Sequence, residues 1–395
     1  MRGPSDAHLV RVARTRTITI VVIAATNDTR PRCKFRRDTL RFRTVRKRVL
    51  LLAALSLLVG AAPTSAARPG YAWHDTTTGT TAHFRGLSAV SSTTAWASGY
   101  TATDGVVFRT TDRGATWQDV SPPGSAGLQF RDIEAFDVSH AVAMSIGAAP
   151  TDFRIYVTAD GGQTWTTTFV NDEPTAFYDC MTFFDKRRGL ALSDPPDGVH
   201  FRVIATNDGG LSWHVTGLQM PDALPGEFAF AASGQCITSD HGHRAWFGTG
   251  GGAQARVFRS DDRGVSWTVA PTPILSGPSA GIFALAFNGQ QRGLAVGGDF
   301  TLPTASPDNF ARSNDGGSSW NLLQNAPPEY RSGATWVDGH TAIAVGPSGS
   351  DVSQNFGTTW QRFDDASLDT VDCATPTACW ASGENGRVAY LVRTR

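Results

Sequence analysis

One eight-residue pattern, Ser/Thr-x-Asp/Asn-x-Gly-x-Ser/Thr-Trp, recurs six times along the chain. The copies are TTDRGATW ending at Trp117, TADGGQTW at Trp165, TNDGGLSW at Trp213, SDDRGVSW at Trp267, SNDGGSSW at Trp320 and SQNFGTTW at Trp360. Their third positions, Asp112, Asp160, Asp208, Asp262, Asp315 and Asn355, lie 48, 48, 54, 53 and 40 residues apart. Self-similarity at such a period means one supersecondary unit repeated, and this period suits a four-stranded blade. The residue types explain themselves as a tight turn. Asp or Asn accepts backbone N–H groups within its own turn. Gly supplies the positive φ that a hairpin needs. The hydroxyls satisfy further turn groups, and Trp is expected to drop its ring into the seam between neighbouring sheets.

Each pattern stands between two strand-like segments, with another pair upstream. Innermost strands are expected at FRGLSAV (from 84), FRDIEAF (130), FYDCMTF (177), EFAFAAS (227), GIFALAF (281), YRSGATWV (330) and LDTVDC (368). Second strands follow at AWASG, AVAMSIG, GLALSD, RAWFGTG, GLAVGGD, TAIAVG and ACWASG. Both series count seven, one more than the turns. The last unit ends one strand short at RVAYLVR (387–393), while Trp73-His74-Asp75-Thr76 resembles Trp117-Gln118-Asp119-Val120. The expected fold is therefore all-β: a seven-bladed β-propeller, its last blade closed by the N-terminal strand. Such closure leaves no exposed edge.

Arg46-Lys47-Arg48 precede an apolar run from Val49 to Val59, and small residues lead up to Ala66-Ala67. That layout is a cleavable export signal whose apolar run is too short to span a bilayer. Residues 45–67 are read as a signal peptide. Residues 1–44, basic and without a core pattern, are read as an extension ahead of a true start near Val45, and 68–395 as one propeller domain. The expected location is secreted or periplasmic, with no membrane span after processing. Residues 1–67 hold 14 of the 35 basic and 3 of the 35 acidic side chains, so 68–395 carries about −11 although the whole chain balances to zero. A nucleic-acid partner would need a basic stripe, and none is expected.

Four cysteines remain in that domain: Cys180, Cys236, Cys373 and Cys379. Export permits disulfides. Cys373 and Cys379 flank a short turn between apolar segments and are expected to bridge across a hairpin. Cys180 and Cys236, set among apolar residues, are either buried thiols or a second bridge. No CxxC pair points to zinc or thioredoxin-type chemistry, so no metal and no cofactor are expected.

On these residues the chain resembles the photosystem II stability and assembly factor-like propellers, which share the Asp-box (BNR) repeat with sialidases. The resemblance covers about residues 71–395. Seven units, the F-R openings at 84 and 130 and the lack of inserted domains favour that branch. It implies a monomeric binding scaffold and does not imply photosynthesis.

In a propeller, the start of each innermost strand and the end of each second strand open onto one face around the channel. The first set gives Arg85, Arg131, Tyr178, Glu227, Arg331 and Asp369; the second gives Asp194, Asp299 and Glu384. Three arginines at one mouth of an acidic molecule suggest a funnel for a carboxylate, carried by a protein partner or an anionic glycan. The bland alternative is that these charges pair with one another and pin the inner strands. A glycan hydrolase of sialidase type is the rival function, because an arginine cluster, a Tyr178–Glu227 pair and Asp194 supply the residue types. Against it, HFRGL (83–87) replaces the early Arg-Ile-Pro segment of those enzymes. A purely structural envelope protein is a third reading.

Overall fold

A computed structural model of the chain describes residues 70–394 apart from 218. The expected signal peptide and the extension before it lie outside the described residues. Among the described residues, regular structure is strand throughout except for a three-residue 3-10 turn at Pro150–Asp152. No helix there is long and apolar enough to cross a membrane.

Seven antiparallel sheets of four strands each form the blades. Their innermost strands are His83–Ala89 (blade 1), Gln129–Ala135 (blade 2), Tyr178–Phe183 (blade 3), Ile237–Ser239 (blade 4), Ala280–Asn288 (blade 5), Gly333–Trp336 (blade 6) and Thr370–Thr375 (blade 7). These strands neighbour one another in chain order, and blade 7 returns to blade 1. At that last seam the Phe84 N–H donates to the Gly383 carbonyl at 3.0 Å. Blade 7 takes its outermost strand from the other end of the chain. Tyr71–Thr77 pairs with Arg387–Arg393, setting Trp73 opposite Leu391.

The repeat turns share one hydrogen-bond set. In the turn before Trp165, the buried Thr158 hydroxyl donates to Asp160 Oδ1 and accepts the Gly162 N–H, both at 2.9 Å. Asp160 then accepts the N–H and the hydroxyl of Thr164 at 2.9 and 2.6 Å. Gly162 has φ +84°, and a Cβ there would lie 2.6 Å from the Val120 side chain, so both conformation and space demand glycine. The same bonds recur at Asp112, Asp208, Asp262 and Asp315, while Asn355 accepts the Thr359 N–H likewise but donates its side-chain amide to the Thr359 hydroxyl at 2.8 Å.

The core is divided rather than central. Seven apolar clusters fill the seven seams between blades, and each contains one tryptophan that follows a repeat turn or its equivalent. Trp117, Trp165, Trp213, Trp267, Trp320 and Trp360 occupy six of them. Trp73 occupies the seventh, between blades 6 and 7, where its indole N–H donates to Ser350 Oγ at 3.0 Å. The N-terminal strand thus brings both a missing strand and a missing seam residue.

One innermost strand differs from expectation. EFAFAAS (227–233) does not form the inner strand of blade 4; that strand is Ile237–Ser239, and the earlier segment crosses the channel instead. The turn that follows each inner strand marks the right position. Asp137, Asp185 and Asp240 each accept N–H groups two and three residues on, and counting back from Asp240 reaches Ile237. Cys180 is bonded to Cys236, tying blade 3 to the entry of blade 4, and Cys373 to Cys379 directly opposite it in blade 7.

Two expectations follow. Deleting residues 71–77 leaves blade 7 with an open edge and an unfilled seam, and the melting temperature should drop for the whole ring in one transition. Unchanged melting would refute closure by this strand. Thr206 is 1% exposed and holds the Gly210 N–H at 2.9 Å. Thr206→Val, equal in shape, should therefore cost about 1–3 kcal/mol in denaturant unfolding by stranding a buried N–H.

Candidate functional site at the channel mouth

Four innermost strands carry an extra residue at the same place. The pairing with the second strand slips between Phe84 and Gly86, between Phe130 and Asp132, between Tyr178 and Cys180, and between Ile282 and Ala284. A bulge leaves its extra residue unpaired and re-aims its side chain. Those residues are Arg85, Arg131, Asp179 and Phe283, and all four line one cavity of about 540 Å³. Crowding between strands sets the neighbouring residue: a Cβ on Gly86 would lie 2.9 Å from the Asp132 Cα.

The floor of this cavity is the segment that crosses the channel. Phe228 to Ala232 line the cavity, and the stretch continues to Gln235. This plug is tied to four other blades. Arg85 Nη1 donates to the Ala232 carbonyl at 3.4 Å, and Arg131 Nη1 to the Ala231 carbonyl at 2.9 Å. Ser233 donates to the Ser332 carbonyl at 2.7 Å. The Gln235 side-chain amide donates to the Ala334 and Val371 carbonyls at 3.1 and 2.9 Å and accepts the Ala334 N–H. On the far side of the plug lies a second cavity of about 290 Å³, lined by Asp132, Glu134, Gln235, His241 and Asp372 among others.

The mouth brings together five of the residues expected there: Arg85, Arg131, Asp194, Asp369 and Glu384. Asp369 accepts from His83 Nε2 at 2.6 Å, and the Tyr100 hydroxyl meets the other ring nitrogen at 3.3 Å. Neither Arg85 nor Arg131 has a carboxylate within salt-bridge reach among the described residues, and the Nε of each is buried without a hydrogen-bond partner. Arg131 Nη2 donates to Gln129 Oε1 at 2.9 Å, and both guanidiniums line the cavity without a carboxylate of their own.

Four expected residues do not join them. Tyr178 is 3% exposed and packs on Phe169 in the seam of blades 2 and 3, with ring centroids 5.3 Å apart. Reading FYD as the counterpart of FRD slips the register by one, and such a slip sends each side chain to the opposite face. The true counterpart of Arg131 is Asp179. Glu227 is buried and paired with Arg256 of blade 4, and it also accepts from the Thr249 hydroxyl. Arg331 is fully buried; its Nε donates to Asp351 at 2.8 Å and its Nη1 to the Tyr330 carbonyl and Ser348 at 2.9 Å. Asp299 caps its own turn, accepting the N–H and hydroxyl of Thr301 at 2.9 and 2.7 Å. Glu227 and Arg331 are thus neutralised by residues outside the expected set, Arg256 and Asp351, and not by one another. Sequence reading also missed the aromatic lining from Phe228, Phe230, Phe283, Phe300 and Tyr330.

No protein-family model and no curated protein matches the chain in sequence. Solved structures do share its fold. YCF48 bound to a D1 peptide aligns with TM-score 0.55 at 15% identity, covering 82% of this chain and 97% of that one. YCF48 from Cyanidioschyzon merolae aligns with TM-score 0.54 at 12% identity, over 82% and 99% of the two chains. The WD40 propeller domain of Doa1 gives 0.55 at 11% identity, over 82% and 98%. The resemblance to assembly factor-like propellers is thus met at the level of the fold, which a WD40 protein shares.

Protonation shapes the mouth. Asp179 is 1% exposed, and its Oδ2 has no hydrogen-bond partner. Burial, then the neighbouring Asp194 carboxyl, push it well above the usual carboxylate range. Burial likewise raises Asp194 to about 7, opposed by the Ala229 N–H that it accepts at 2.7 Å. Two carboxyls this close do not both ionise, so the pair keeps a proton. Burial, and then Arg85, lower Arg131 to about 10, which leaves it charged at neutral pH. Around the second cavity, burial also raises Asp132, Glu134 and Asp372.

A group whose folded pKa lies above its unfolded value near 4 contributes stability in full below that value and loses it as pH rises through the folded pKa. For Asp194 that window runs from about 4 to about 7. The melting temperature should fall between pH 5 and pH 7.5, and less steeply in Asp194→Asn. A rise across this window would contradict the buried protonated carboxyls.

Proposed function

We propose that this protein is an exported, non-enzymatic binding scaffold that takes a segment of a partner protein in the channel mouth, with Arg85 and Arg131 as carboxylate donors. The observation that carries the reading is the pair of guanidiniums that line the cavity with no carboxylate in salt-bridge reach among the described residues, held over a fixed floor by the plug carbonyls. Rigid placement matters because a pre-oriented donor loses little entropy on binding. The fold supports the same use. In one of its structural relatives, YCF48, a D1 peptide is bound. Export is supported by the signal-like segment ahead of the ring and by the two disulfides, Cys180–Cys236 and Cys373–Cys379, which an oxidising compartment would maintain.

The geometry disfavours the hydrolase reading. A sialidase-type site needs a Tyr–Glu pair and an arginine triad in one cavity. Here Tyr178 lies in a seam, Glu227 is neutralised by Arg256, and Arg331 is locked to Asp351.

The test is affinity capture from an envelope extract by wild type and variants, with fluorogenic glycosides run in parallel. Arg85→Ala and Arg131→Ala should each weaken capture by the folded protein by about 1–3 kcal/mol, the value of a charge-assisted hydrogen bond, over and above any drop in melting temperature from the lost plug bonds. Added salt should weaken wild-type capture as exposed charges are screened. Arg331→Ala should instead lower the melting temperature, because it strands the buried Asp351 carboxylate. Capture by a folded double variant with unchanged affinity and salt dependence would reject the mouth as the site.

A further inference from the structure

The mouth has two chemically distinct halves. Its charged side chains come from blades 7, 1, 2 and 3: Asp369, Arg85, Arg131, Asp179 and Asp194. Five of its six Phe and Tyr rings come from the plug and from blades 5 and 6; the sixth, Phe177, stands at blade 3. Phe230 stacks on Phe283 with centroids 4.0 Å apart, and Phe228 meets Phe230 edge-on at 4.9 Å. Tyr330 and Phe300 meet Phe283 edge-on at 4.7 and 6.2 Å. Phe300 stands at the rim, 49% exposed. An apolar cup of this kind is not required to close a seam, for the seven seams have clusters of their own, and four of these rings, all but the rim Phe300, form a separate eighth cluster.

We infer that the ligand of this mouth is a peptide segment that places one carboxylate beside a large apolar side chain, aromatic above all. The carboxylate takes Arg85 and Arg131; the ring enters the cup of Phe228, Phe230, Phe283 and Phe300. This inference rests on the mouth being the binding site. Charge complementarity restricts the acid to one group. The two guanidiniums have no carboxylate in salt-bridge reach among the described residues, but Asp369 and Glu384 line the same cavity and repel a run of acidic residues. The apolar half supplies what the ionic half lacks: a buried aromatic side chain removes about 150–250 Å² from water, an attraction that salt does not screen. A cavity of about 540 Å³ is within the range that encloses a drug-sized ligand, so it takes adjacent side chains together with the backbone between them.

The experiment uses the purified protein and unlabelled hexapeptides with acetylated and amidated ends, titrated by isothermal calorimetry. The probes are Gly-Ser-Trp-Glu-Ser-Gly and its Ala-Glu and Trp-Gln counterparts. The Trp-Glu peptide should bind at least tenfold tighter than either. Phe228→Ala with Phe300→Ala, at partly exposed positions, should erase the preference for Trp at unchanged melting temperature. Arg131→Ala should erase the preference for Glu. Equal binding of the Ala-Glu and Trp-Glu probes, lost only in Arg131→Ala, would overturn the two-part ligand while leaving the mouth as the site. Tight binding of the Trp-Glu probe that none of these substitutions alters would overturn both readings. Failure of all three peptides to bind would overturn this inference alone, since the capture experiment decides the mouth separately. Indole-3-acetate competing as well as the peptide, mole for mole, would replace a peptide ligand by a small aromatic acid.

Discussion

The seam between blades is the interaction on which this molecule rests. No single core exists to hold seven sheets, so each interface must be filled separately, and each is filled around one tryptophan. A ring with one seam empty is not a smaller version of the same fold; it has two free faces and an open edge. Trp73 and the strand Tyr71–Thr77 therefore carry a weight out of proportion to their length. They pair with the last strand of the chain and fill the seam between blades 6 and 7 in the same few residues. The repeat turns serve the same end at the outside of each blade. Their aspartates satisfy turn N–H groups, and their buried hydroxyls hold the glycine that lets the chain reverse.

Around the channel a different device replaces apolar packing. Asp132 accepts the Met181 N–H, linking blade 2 to blade 3, and Asp372 accepts the Ala89 N–H, linking blade 7 to blade 1. Inner strands crowded as closely as Gly86 against Asp132 leave little room for large apolar side chains. Short polar groups can bridge from strand to strand there, at the cost of burying carboxyls. The plug extends this network across the middle. Gln235 reaches blades 6 and 7, while Arg85 and Arg131 hold the plug from blades 1 and 2. The two arginines thus line the cavity and hold its floor at once.

Much of the architecture was legible in the residues because local chemistry repeats. A turn that needs Asp, Gly and Trp at set offsets announces itself wherever it occurs, and counting strands between turns predicts both the number of blades and the closing strand. The site was legible only in part. Arg85 and Arg131 follow a phenylalanine that is buried in the inner strand, so their place at the mouth was readable from FRG and FRD. Arg331 stands in a similar YRS context yet is drawn outward by Asp351, a residue of another strand that no local pattern connects to it. Tyr178 and Asp179 exchanged roles because FYD offers two adjacent aromatic residues, and Tyr178, not Phe177, takes the buried place that Phe130 holds in blade 2.

The sequence by itself determined the class of structure, the seven-fold count, the closure through Trp73 and the two arginines of the mouth. Each depends on a short-range pattern whose physical meaning is the same in every blade. Tertiary structure alone decided which charges pair and which remain free, that EFAFAAS becomes a plug rather than a strand, and that five aromatic rings from distant segments form one wall. Those outcomes depend on distances between residues far apart in the chain. An apolar, alternating segment such as 227–233 satisfies the local rules for a strand, and only the absence of a free sheet position, together with an open channel beside it, sends it elsewhere.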